Sequence, residues 1–526
     1  MIQYAEKFRF KPPATKPAIH QAPPKVIIIG AGIAGLSCGC YLQMNGIQTE
    51  ILEAGELPGG LCTAWKRGHY IFDGCLRWLA GARPPSAFHK IWMELGAING
   101  RSVFVNDEIL NIESPDGKKV SVPCDLDKLA AEFKRIAPED SRLIDQLMRD
   151  VRRSMCLEPL DCPLELMPYR ERMRQGLRYL PLAPVVFRWK NVPLGVYLAR
   201  YKNAFLRKTL QVITGSEQMS ALVLVMVLAF RARKDTGFVT GGSWDFAMGI
   251  ADRYERLGGV FRYNAKVTRI QTENNCAIGV ECEDGTRIPA ATVISCADGY
   301  ATIYKMLDGR YVDKKVRFLY ETCETFTALI QVSLGVKKTF PGVPHTLNLL
   351  LPERLVVDDQ TSHDCFEVEL FESDSSLCPE GTTMITVRLP TKYQYWIDLK
   401  KNDLRRYRLE KKNVLRKIMA ILDLRLPGLA KNVERFDVAT PDTFVRYTGN
   451  WRASYEGWLP TPRILGRRLQ YTLPGLKNFY MAGHWVIPGG GLPSVALSGR
   501  EVAQFICAKE GKTFSASEPW PELKIQ

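Results

Sequence analysis

An apolar segment that runs into a glycine-rich turn near the start of the chain places the strongest constraint on its fold. Lys25-Val-Ile-Ile-Ile29 leads directly into Gly30-Ala-Gly32-Ile-Ala-Gly35, and the next residues are typical of a helix capped at its end by Gly46. A second apolar strand, Thr49 to Leu52, leads to Glu53. Strand, G-x-G-x-x-G turn, helix, strand and acidic residue in this order predict the βαβ unit of a dinucleotide site.

Each glycine of this turn has its own expected role. Gly30 permits the tight turn, Gly32 lets the backbone approach a pyrophosphate, and Gly35 lets the helix pack closely on the strand. The free N–H groups at the start of the helix then face the phosphates. Glu53 is placed to accept a hydrogen bond from a ribose hydroxyl, and at this point NAD and FAD are equally allowed.

Two further glycine-rich segments bear on the choice between these dinucleotides. Gly59-Gly60 follows Glu53 after a short loop and offers a second flat backbone surface. Near the C-terminus, Gly489-Gly-Gly491 precedes Pro493, which suits the first turn of a helix running to about Ala508. If the dinucleotide is FAD, this helix N-terminus faces the N1/C2=O edge of the isoalloxazine, where negative charge appears on reduction.

The composition is that of an ordinary globular protein with a large core. The chain has 526 residues, of which 46% are hydrophobic, and this length favours two or three domains. Its 14 cysteines are scattered without a C-x-x-C pair and the N-terminus resembles no secretory signal, so we expect reduced thiols in a cytoplasmic protein. The six histidines are not spaced like metal ligands, and we expect no metal site.

The formal net charge of +15 favours an anionic partner. Basic residues gather at positions 170–178 and 400–417, which are either solvated helix faces or a surface for an anionic membrane. No nucleic-acid motif accompanies them, so we expect no nucleic-acid partner. The most apolar stretch, 221–230, is too short to span a bilayer and is either a buried core helix or a patch that dips into one leaflet.

Hydrophobic periodicity between the glycine-rich segments predicts a helical insertion and a separate sheet. Apolar residues at helical spacing predict helices over 126–136 and 143–151. An amphipathic helix over about 246–257 precedes short strands with hairpin turns, the last of them Val293-Ile-Ser295. Further strands are predicted over 325–336, 366–371 and 383–389, followed by a charged helix over 403–422.

Four segments carry a resemblance to a known family. They are residues 25–73 with Leu57-Pro-Gly-Gly60 and Tyr70-Ile-Phe-Asp-Gly74, Thr240-Gly-Gly-Ser-Trp244, Val293-Ile-Ser-Cys-Ala-Asp298, and Gly489-Gly-Gly-Leu-Pro-Ser-Val495. Together they resemble the phytoene desaturase, carotenoid isomerase and retinol saturase group of FAD-dependent oxidoreductases, within the amine-oxidase and GDI-like superfamily. The resemblance implies an α/β fold: a discontinuous Rossmann-like FAD-binding domain with an inserted α+β substrate domain and a helical insertion.

The resemblance also implies that one FAD molecule is held at both ends. The implied cofactor-binding residues are Gly30, Gly32, Ile33, Ala34, Gly35, Glu53, Ala54, Gly59, Gly60, Leu61, Val267, Gly483, Gly491, Pro493, Ser494 and Val495. The backbone at Val267 would meet the adenine. Leu61 and Trp244 depart from the family pattern, since many relatives carry Arg and a smaller apolar residue there. His484 is either a proton carrier near the flavin or a hydrogen-bonded structural residue.

Pattern and resemblance together divide the chain into seven segments. Residues 1–24, rich in proline and lysine, are predicted to be a flexible basic arm. The FAD-binding domain is expected to take residues 25–119, 240–310 and 466–512. A helical insertion that can face a membrane takes 120–239, the substrate domain takes 311–465, and a C-terminal tail takes 513–526.

The implied activity is desaturation or saturation of carbon–carbon bonds in a lipophilic polyene, by hydride transfer at flavin N5. Open alternatives are a redox-neutral cis–trans polyene isomerase using reduced FAD, a flavin amine oxidase and a non-enzymatic GDI-like carrier. No second G-x-G-x-x-G announces an NAD(P)H domain, so the electron partner stays open among quinone, oxygen, a protein and NAD(P)H. The sequence names no catalytic side chain and no oligomeric state. The expected location is cytoplasmic, with peripheral attachment to the inner face of a membrane as an option.

Overall fold

The computed structural model describes residues 26–105, 107–372, 374–467 and 469–518. The predicted arm at 1–24 and the last residues of the C-terminal tail lie outside the described residues. The strands are Val26–Ile29 (β1), Thr49–Leu52 (β2), Ala64–Arg67 (β3), Tyr70–Asp73 (β4), Leu79–Ala80 (β5), Val103–Phe104 (β6), Glu108–Glu113 (β7), Lys119–Pro123 (β8), Thr236–Val239 (β9), Val260–Arg262 (β10), Val267–Glu273 (β11), Cys276–Cys282 (β12), Arg287–Pro289 (β13), Thr292–Ser295 (β14), Ala328–Val336 (β15), Thr346–Asp358 (β16), Thr361–Phe371 (β17), Thr383–Thr391 (β18), Val433–Ala439 (β19) and Phe479–Met481 (β20).

The helices alternate with these strands and, in the middle of the chain, form a continuous run. They are Ile33–Met44 (α1), Ala87–Glu94 (α2), Leu126–Ile136 (α3), Ser141–Ser154 (α4), Tyr169–Tyr179 (α5), Ala183–Trp189 (α6), Leu194–Leu198 (α7), Ala204–Thr214 (α8), Ala221–Ala232 (α9), Gly242–Arg256 (α10), Lys314–Thr322 (α11), Tyr393–Asn402 (α12), Leu404–Arg425 (α13), Leu429–Asn432 (α14), Pro441–Thr448 (α15) and Gly491–Lys509 (α16). Short turns of tighter or wider helix cover Pro138–Asp140, Leu180–Leu182, Ala301–Met306 and Trp451–Ala453.

A five-stranded parallel sheet forms the centre of the α/β part, in the order β10-β2-β1-β14-β20. β1 lies in the middle because it is a run of β-branched residues, all of them buried. Its register pairs Val26 with Thr49 on one side and with Thr292 on the other. The strands come from separated stretches of the chain, which confirms the predicted discontinuous Rossmann-like fold. Because all five strands are parallel, their carboxyl ends meet at one edge.

Helices α1, α10 and α16 pack beside this sheet at close range. α1 buries ten of its 12 residues because strand β2 and both other helices contact it. The Ser37 hydroxyl donates a hydrogen bond to the Ala496 carbonyl at 2.7 Å. A Cβ at Gly499 would lie 2.6 Å from the carbonyl oxygen of Ala34, so glycine allows this approach. The packing holds the N-terminal ends of α1 and α16 near the carboxyl edge of the sheet.

A mixed seven-stranded sheet forms a second layer, in the order β19-β15-β18-β17-β16-β7-β8. One face buries an apolar core against α12 and α13, where Trp396 and Ile418 are inaccessible to solvent. The predicted boundary of the first FAD segment at residue 119 needs correction, because β7 pairs with β16 and brings β8 into this sheet. A lone β7–β8 hairpin would be marginal, and the larger sheet stabilises it. The other boundaries stay predictions.

The helical insertion is built around its own apolar core, as its periodicity predicted. Asp125 caps α3 by accepting hydrogen bonds from the N–H groups of Asp127 and Lys128. Phe133 of α3 and Leu147 of α4 are among the buried residues of this core. α9 buries its core-facing side in the same cluster, which supports the core-helix interpretation of residues 221–230. All 14 cysteines are free thiols. Across the described ranges, no helix is both long and apolar enough to cross a membrane.

Candidate active site

A cavity of about 1600 Å³ lies between the carboxyl edge of the five-stranded sheet, one face of the seven-stranded sheet and α9. Most of the residues predicted to bind the cofactor line it: Gly30, Gly32, Ile33, Ala34, Glu53, Ala54, Gly59, Gly60, Leu61, Val267, Gly483, Gly491, Pro493, Ser494 and Val495. Gly35 is the exception, because it packs against the first turn. The structure brings these distant segments together, and their role in cofactor binding stays a prediction.

The first glycine turn offers an open backbone surface to the cavity. Gly30 adopts a φ of +97°, which the tight turn requires and which glycine adopts without strain. A Cβ at Gly32 would meet nothing within 4 Å, so the space beside this residue is free. At Gly35, a Cβ would lie well under 3.0 Å from the Gly30 carbonyl oxygen, so glycine lets α1 begin this close to β1. The first N–H groups of α1 have no side-chain cap.

Glu53 is held at this turn by backbone hydrogen bonds. Its carboxylate accepts from the N–H of Ala31 at 2.7 Å and from the N–H of Gly55 at 2.8 Å. The Glu53 carbonyl accepts from the N–H of Ala265 at 2.9 Å, which brings the start of β11 and Val267 to the same end of the cavity. The acidic group and the start of β11 are thus positioned side by side at the nucleotide end.

The second glycine pair lies directly against the first turn. Gly59 donates its N–H to the Ala31 carbonyl at 2.8 Å. A Cβ at Gly60 would lie 3.2 Å from Cα of Gly32, so the two backbones approach closely. Leu61 follows and also lines the cavity. The pair therefore extends the flat wall that begins at the first turn.

The C-terminal glycine loop lines the same cavity. Gly489, Gly490 and Gly491 have φ values of +92°, +46° and +79°, a left-handed run that favours glycine. The N–H of Gly483 donates to the Ser498 hydroxyl at 2.8 Å, which ties the end of β20 to α16. The first turn of α16 has no side-chain cap and contributes cavity-lining residues. Its partial positive charge favours a negative group there.

These features fit an elongated dinucleotide. Two uncapped helix N-termini lie at the same cavity and each can meet negative charge. The free space beside Gly32 accommodates an approaching phosphate, and the Glu53 carboxylate offers acceptors to a hydroxyl. The residues present are therefore compatible with a pyrophosphate, a ribose and a ring system held along one wall.

Two titratable side chains that line the cavity near the C-terminal loop have shifted pKa values. A Cβ at Gly491 would lie 3.8 Å from Oε1 of Glu456, which places that carboxyl beside the loop. Burial raises the pKa of Glu456 to about 7, against the opposing effect of Arg77. Burial lowers the pKa of His484 to about 4, so its imidazole is neutral at neutral pH. Its buried Nε2 has no hydrogen-bond partner among the described residues, and the role of proton carrier stays a prediction.

A row of polar side chains crosses the sheet face that lines the cavity. The strand register places Gln331, Arg388, Glu367 and Asn348 opposite one another on β15, β18, β17 and β16. We call these four residues the polar band, and all four line the cavity. The sequence analysis missed them, although polar residues alternate with apolar ones in these strands, which is the signal of two different faces.

Two arginines and two glutamates balance their charges at the polar band. Arg388 contacts the carboxylate of Glu369, and its Nε donates to Oε1 of Gln331 at 3.3 Å. Arg77 contacts Glu367 and donates from Nε to Glu369 at 3.0 Å. Burial alone would raise the pKa of Glu369, but the guanidinium groups of Arg388 and Arg77 outweigh it and lower that pKa. Glu369 is thus held as a carboxylate.

Residues 33–507 match the family of flavin containing amine oxidoreductases, and the chain belongs to this family. It is therefore a flavin-dependent oxidoreductase, as predicted. One relative is the chloroplastic prolycopene isomerase of Arabidopsis thaliana, 24% identical over 512 residues, which cover 92% of this chain and 83% of the relative. Another is the lycopene-forming phytoene desaturase of a Paracoccus species, 24% identical over 499 residues, covering 91% and 96%.

A comparison with solved structures agrees on the fold. A putrescine oxidase redesigned at its cofactor site superposes with a TM-score of 0.63 at 15% identity, covering 92% of this chain and 99% of its own. Similarity at this level of identity shows the fold alone. The predicted amine-oxidase and GDI-like architecture is confirmed, and so is the resemblance to phytoene desaturases and carotenoid isomerases.

Proposed function

We propose that this chain is an FAD-dependent oxidoreductase that desaturates or saturates carbon–carbon bonds of a lipophilic polyene. The observation that carries the proposal is one continuous cavity, with the glycine turns at one end and the apolar side of α9 along another wall. Val223, Met226, Val227 and Phe230 of α9 line it. Such a wall suits a long hydrocarbon, because each buried methylene contributes about 0.8 kcal/mol. The desaturase and isomerase relatives support the same substrate class.

The residues of the wall would hold FAD along its length. The first glycine turn and the N-terminus of α1 would hold the pyrophosphate, Glu53 the adenosine ribose, and the backbone at Val267 the adenine. The N-terminus of α16 would face the N1/C2=O edge of the ring, where its partial positive charge stabilises negative charge. When bound, the flavin supplies or accepts a hydride at N5.

The chain itself would supply water exclusion and a proton site. The apolar side chains of α9 keep water from the substrate, and conjugation spreads charge that develops on a polyene, so few acid–base groups are required. The Glu456 carboxyl beside the C-terminal loop gains or loses a proton near neutral pH because burial raises its pKa to about 7. It is the side chain best placed to hold a proton at the ring end.

The visible spectrum of the purified protein tests this proposal. We expect a flavin spectrum, with FAD released on denaturation. Under anaerobic conditions a polyene that is a substrate for desaturation bleaches the oxidised flavin, whereas an amine does not. Bleaching by an amine with peroxide release would instead establish an amine oxidase. A colourless protein that takes up no FAD would contradict the proposal. Reoxidation by quinone, oxygen or NADP⁺ then identifies the electron partner.

A redox-neutral polyene isomerase is the second candidate, because a prolycopene isomerase matches over nearly the whole chain. The same site serves it, since the N-terminus of α16 favours a reduced ring. Product analysis separates the two activities. Conversion of a cis-polyene to its trans isomer with pre-reduced protein, without any net change in flavin oxidation state, would favour the isomerase.

We also propose that α5 and α6 bind an anionic membrane surface. α5 buries none of its residues, and Leu177 and Phe187 are 67% and 87% exposed. Arginines 170, 172, 174, 178 and 188 lie among these apolar residues. Flotation with phosphatidylserine vesicles should decrease with salt and in the variant Leu177→Ser/Phe187→Ser. The control Leu424→Ser, at a residue 86% exposed on α13, should float like the wild type. Equal flotation of both variants would contradict this assignment.

A further inference from the structure

The polar band differs from what a cavity for a pure hydrocarbon requires. Two of its members carry N–H groups without a hydrogen-bond partner, Nη2 of Arg388 and Nδ2 of Asn348. The Arg388 side chain is 10% exposed and Asn348 is 3% exposed. Leaving a buried donor unpaired costs about 1–3 kcal/mol. Native proteins rarely keep such groups unless water or a ligand completes them.

Both donors project from the same wall of the cavity. Asn348 and Arg388 lie on strands separated only by β17, so their backbones are about 10 Å apart at the usual strand spacing. Asn348 lines the cavity beside Glu367, and the Glu367 carboxylate forms an ion pair with Arg77. The charge of Arg77 also opposes the rise in the pKa of Glu456, whose carboxyl lies beside the C-terminal loop. The unpaired donors are therefore near the end of the cavity where the flavin ring would lie.

The charges around the polar band restrict the ligand further. Arg77 and Arg388 are already balanced by Glu367 and Glu369. A ligand carboxylate would add a third negative group beside these two, where both neighbouring arginines already have carboxylate partners. The two unpaired N–H groups need a hydrogen-bond acceptor, and a neutral oxygen atom of the ligand supplies one without an additional charge.

We infer that the polar band binds a carbonyl or hydroxyl oxygen, so that the substrate is an oxygenated polyene with its oxygen near the reacting end. This inference rests on the proposed function, because it assigns the polyene to the same cavity. A site built around hydrogen bonds to one oxygen rejects the analogue lacking it far more strongly than an apolar pocket rejects a changed methylene. The polar band is then the part of the cavity that selects among polyenes of similar length.

Binding to the FAD-loaded protein tests the inference without relying on turnover. The probes are two pairs with matched carbon skeletons: β-carotene with its monoketone echinenone, and retinal with retinoic acid. Affinities come from quenching of tryptophan fluorescence. We expect at least one ketone or aldehyde to bind, with echinenone about tenfold tighter than β-carotene or retinal about tenfold tighter than retinoic acid.

Two variants and a control locate the effect. Asn348→Leu removes one donor at similar volume and should reduce the preference for the oxygenated probe by about tenfold, while the affinity for β-carotene is unchanged or improved. Arg388→Lys keeps the positive charge opposite Glu369 but removes the unpaired guanidinium donor. It should therefore also reduce the preference for the oxygenated probe. Thr346→Val, two residues from Asn348 on the same strand face, should leave the preference intact. Flavin content and thermal unfolding report whether each variant folds.

The outcomes separate this inference from the proposed function. If polyenes bind but the wild type prefers neither echinenone over β-carotene nor retinal over retinoic acid, the inference is wrong and the proposed function stands. Tighter binding of retinoic acid than retinal would assign the polar band to an anion instead and overturn the neutral acceptor. If none of the four probes binds, the proposed polyene substrate itself is contradicted. An unchanged preference in both Asn348→Leu and Arg388→Lys also overturns the inference.

Discussion

Replacing Gly32 with alanine should weaken flavin binding while leaving the fold intact. Gly32 has φ −69° and ψ 174°, which alanine adopts freely, and its added Cβ would meet nothing within 4 Å. A stiffer unfolded chain stabilises the variant by about 0.4–1 kcal/mol, and the poorer helix cap costs a similar amount, so apoprotein stability should change by less than about 1 kcal/mol. The methyl group occupies space that we assign to the pyrophosphate. An overpacking cost of about 1–3 kcal/mol then lowers FAD affinity about ten- to hundredfold.

The neighbouring Gly35 should respond in the opposite way. Its added Cβ would overlap the Gly30 carbonyl oxygen, so Gly35→Ala should destabilise the apoprotein towards the upper end of about 1–3 kcal/mol. Urea unfolding of apoprotein and FAD titration by flavin fluorescence measure the two effects separately. Gly176→Ala is the control, since Gly176 is an exposed glycine of α5 with open space beside it. Wild-type FAD affinity in Gly32→Ala would refute the assignment of the first turn to the pyrophosphate.

Three further predictions concern carboxyl groups that line or neighbour the cavity. Glu53→Ala should lower FAD retention by about tenfold, because it removes the proposed ribose acceptor and the hydrogen bond from the Ala31 N–H. The control Glu50→Ala loses the ion pair with Arg262 and should reduce stability instead of FAD affinity. Titration of both variants with FAD distinguishes the two effects. Glu456→Gln should abolish a pH effect on apoprotein stability. Burial raises the folded pKa of Glu456 from 4.5 to about 7, so its stabilising contribution is complete below pH 4.5 and is lost as the pH rises through 7. The expected loss of unfolding free energy is on the order of 2 kcal/mol, which allows for water in the cavity. Urea midpoints that change in parallel between pH 4.5 and 7 in the wild type and in Glu456→Gln would contradict this prediction. Asp73→Asn should cost about 2–3 kcal/mol, because the Asp73 carboxylate accepts from the N–H groups of Cys75, Leu76 and Ser243; a thermal unfolding midpoint equal to the wild type would disprove this.

Local patterns were enough to predict the elements of the nucleotide half-site. The strand–turn–helix–strand unit ending at Glu53 was predicted within one or two residues, because strand period, glycine turns and helix caps are properties of neighbouring residues. The charged helix predicted over 403–422 is likewise α13. β16 was missed because Pro352, in the middle of the strand, breaks the pattern, and the structure accommodates it at a register irregularity between Leu350 and Leu355.

Cross-strand contacts account for what local patterns could not predict. Glu456 and the polar band come from strands and loops far apart in the chain, and only the register of β15 to β18 places four polar side chains opposite one another. Arg77 reaches them from the segment after β4. Charge pairing of this kind depends on through-space distances that no single segment encodes.

The sequence by itself determined the strand–turn–helix–strand unit and predicted a dinucleotide site on it, since glycines at close approaches and an acid after the second strand are needed wherever a pyrophosphate lies against backbone. It also predicted that a distant glycine loop serves the same molecule. Only the tertiary structure decided that α9 faces a cavity as well as a core, and that the cavity contains a charge-balanced polar band with unpaired donors. The physical reason is that backbone conformation is set locally, whereas burial and charge neutralisation are set by whichever distant segments pack together.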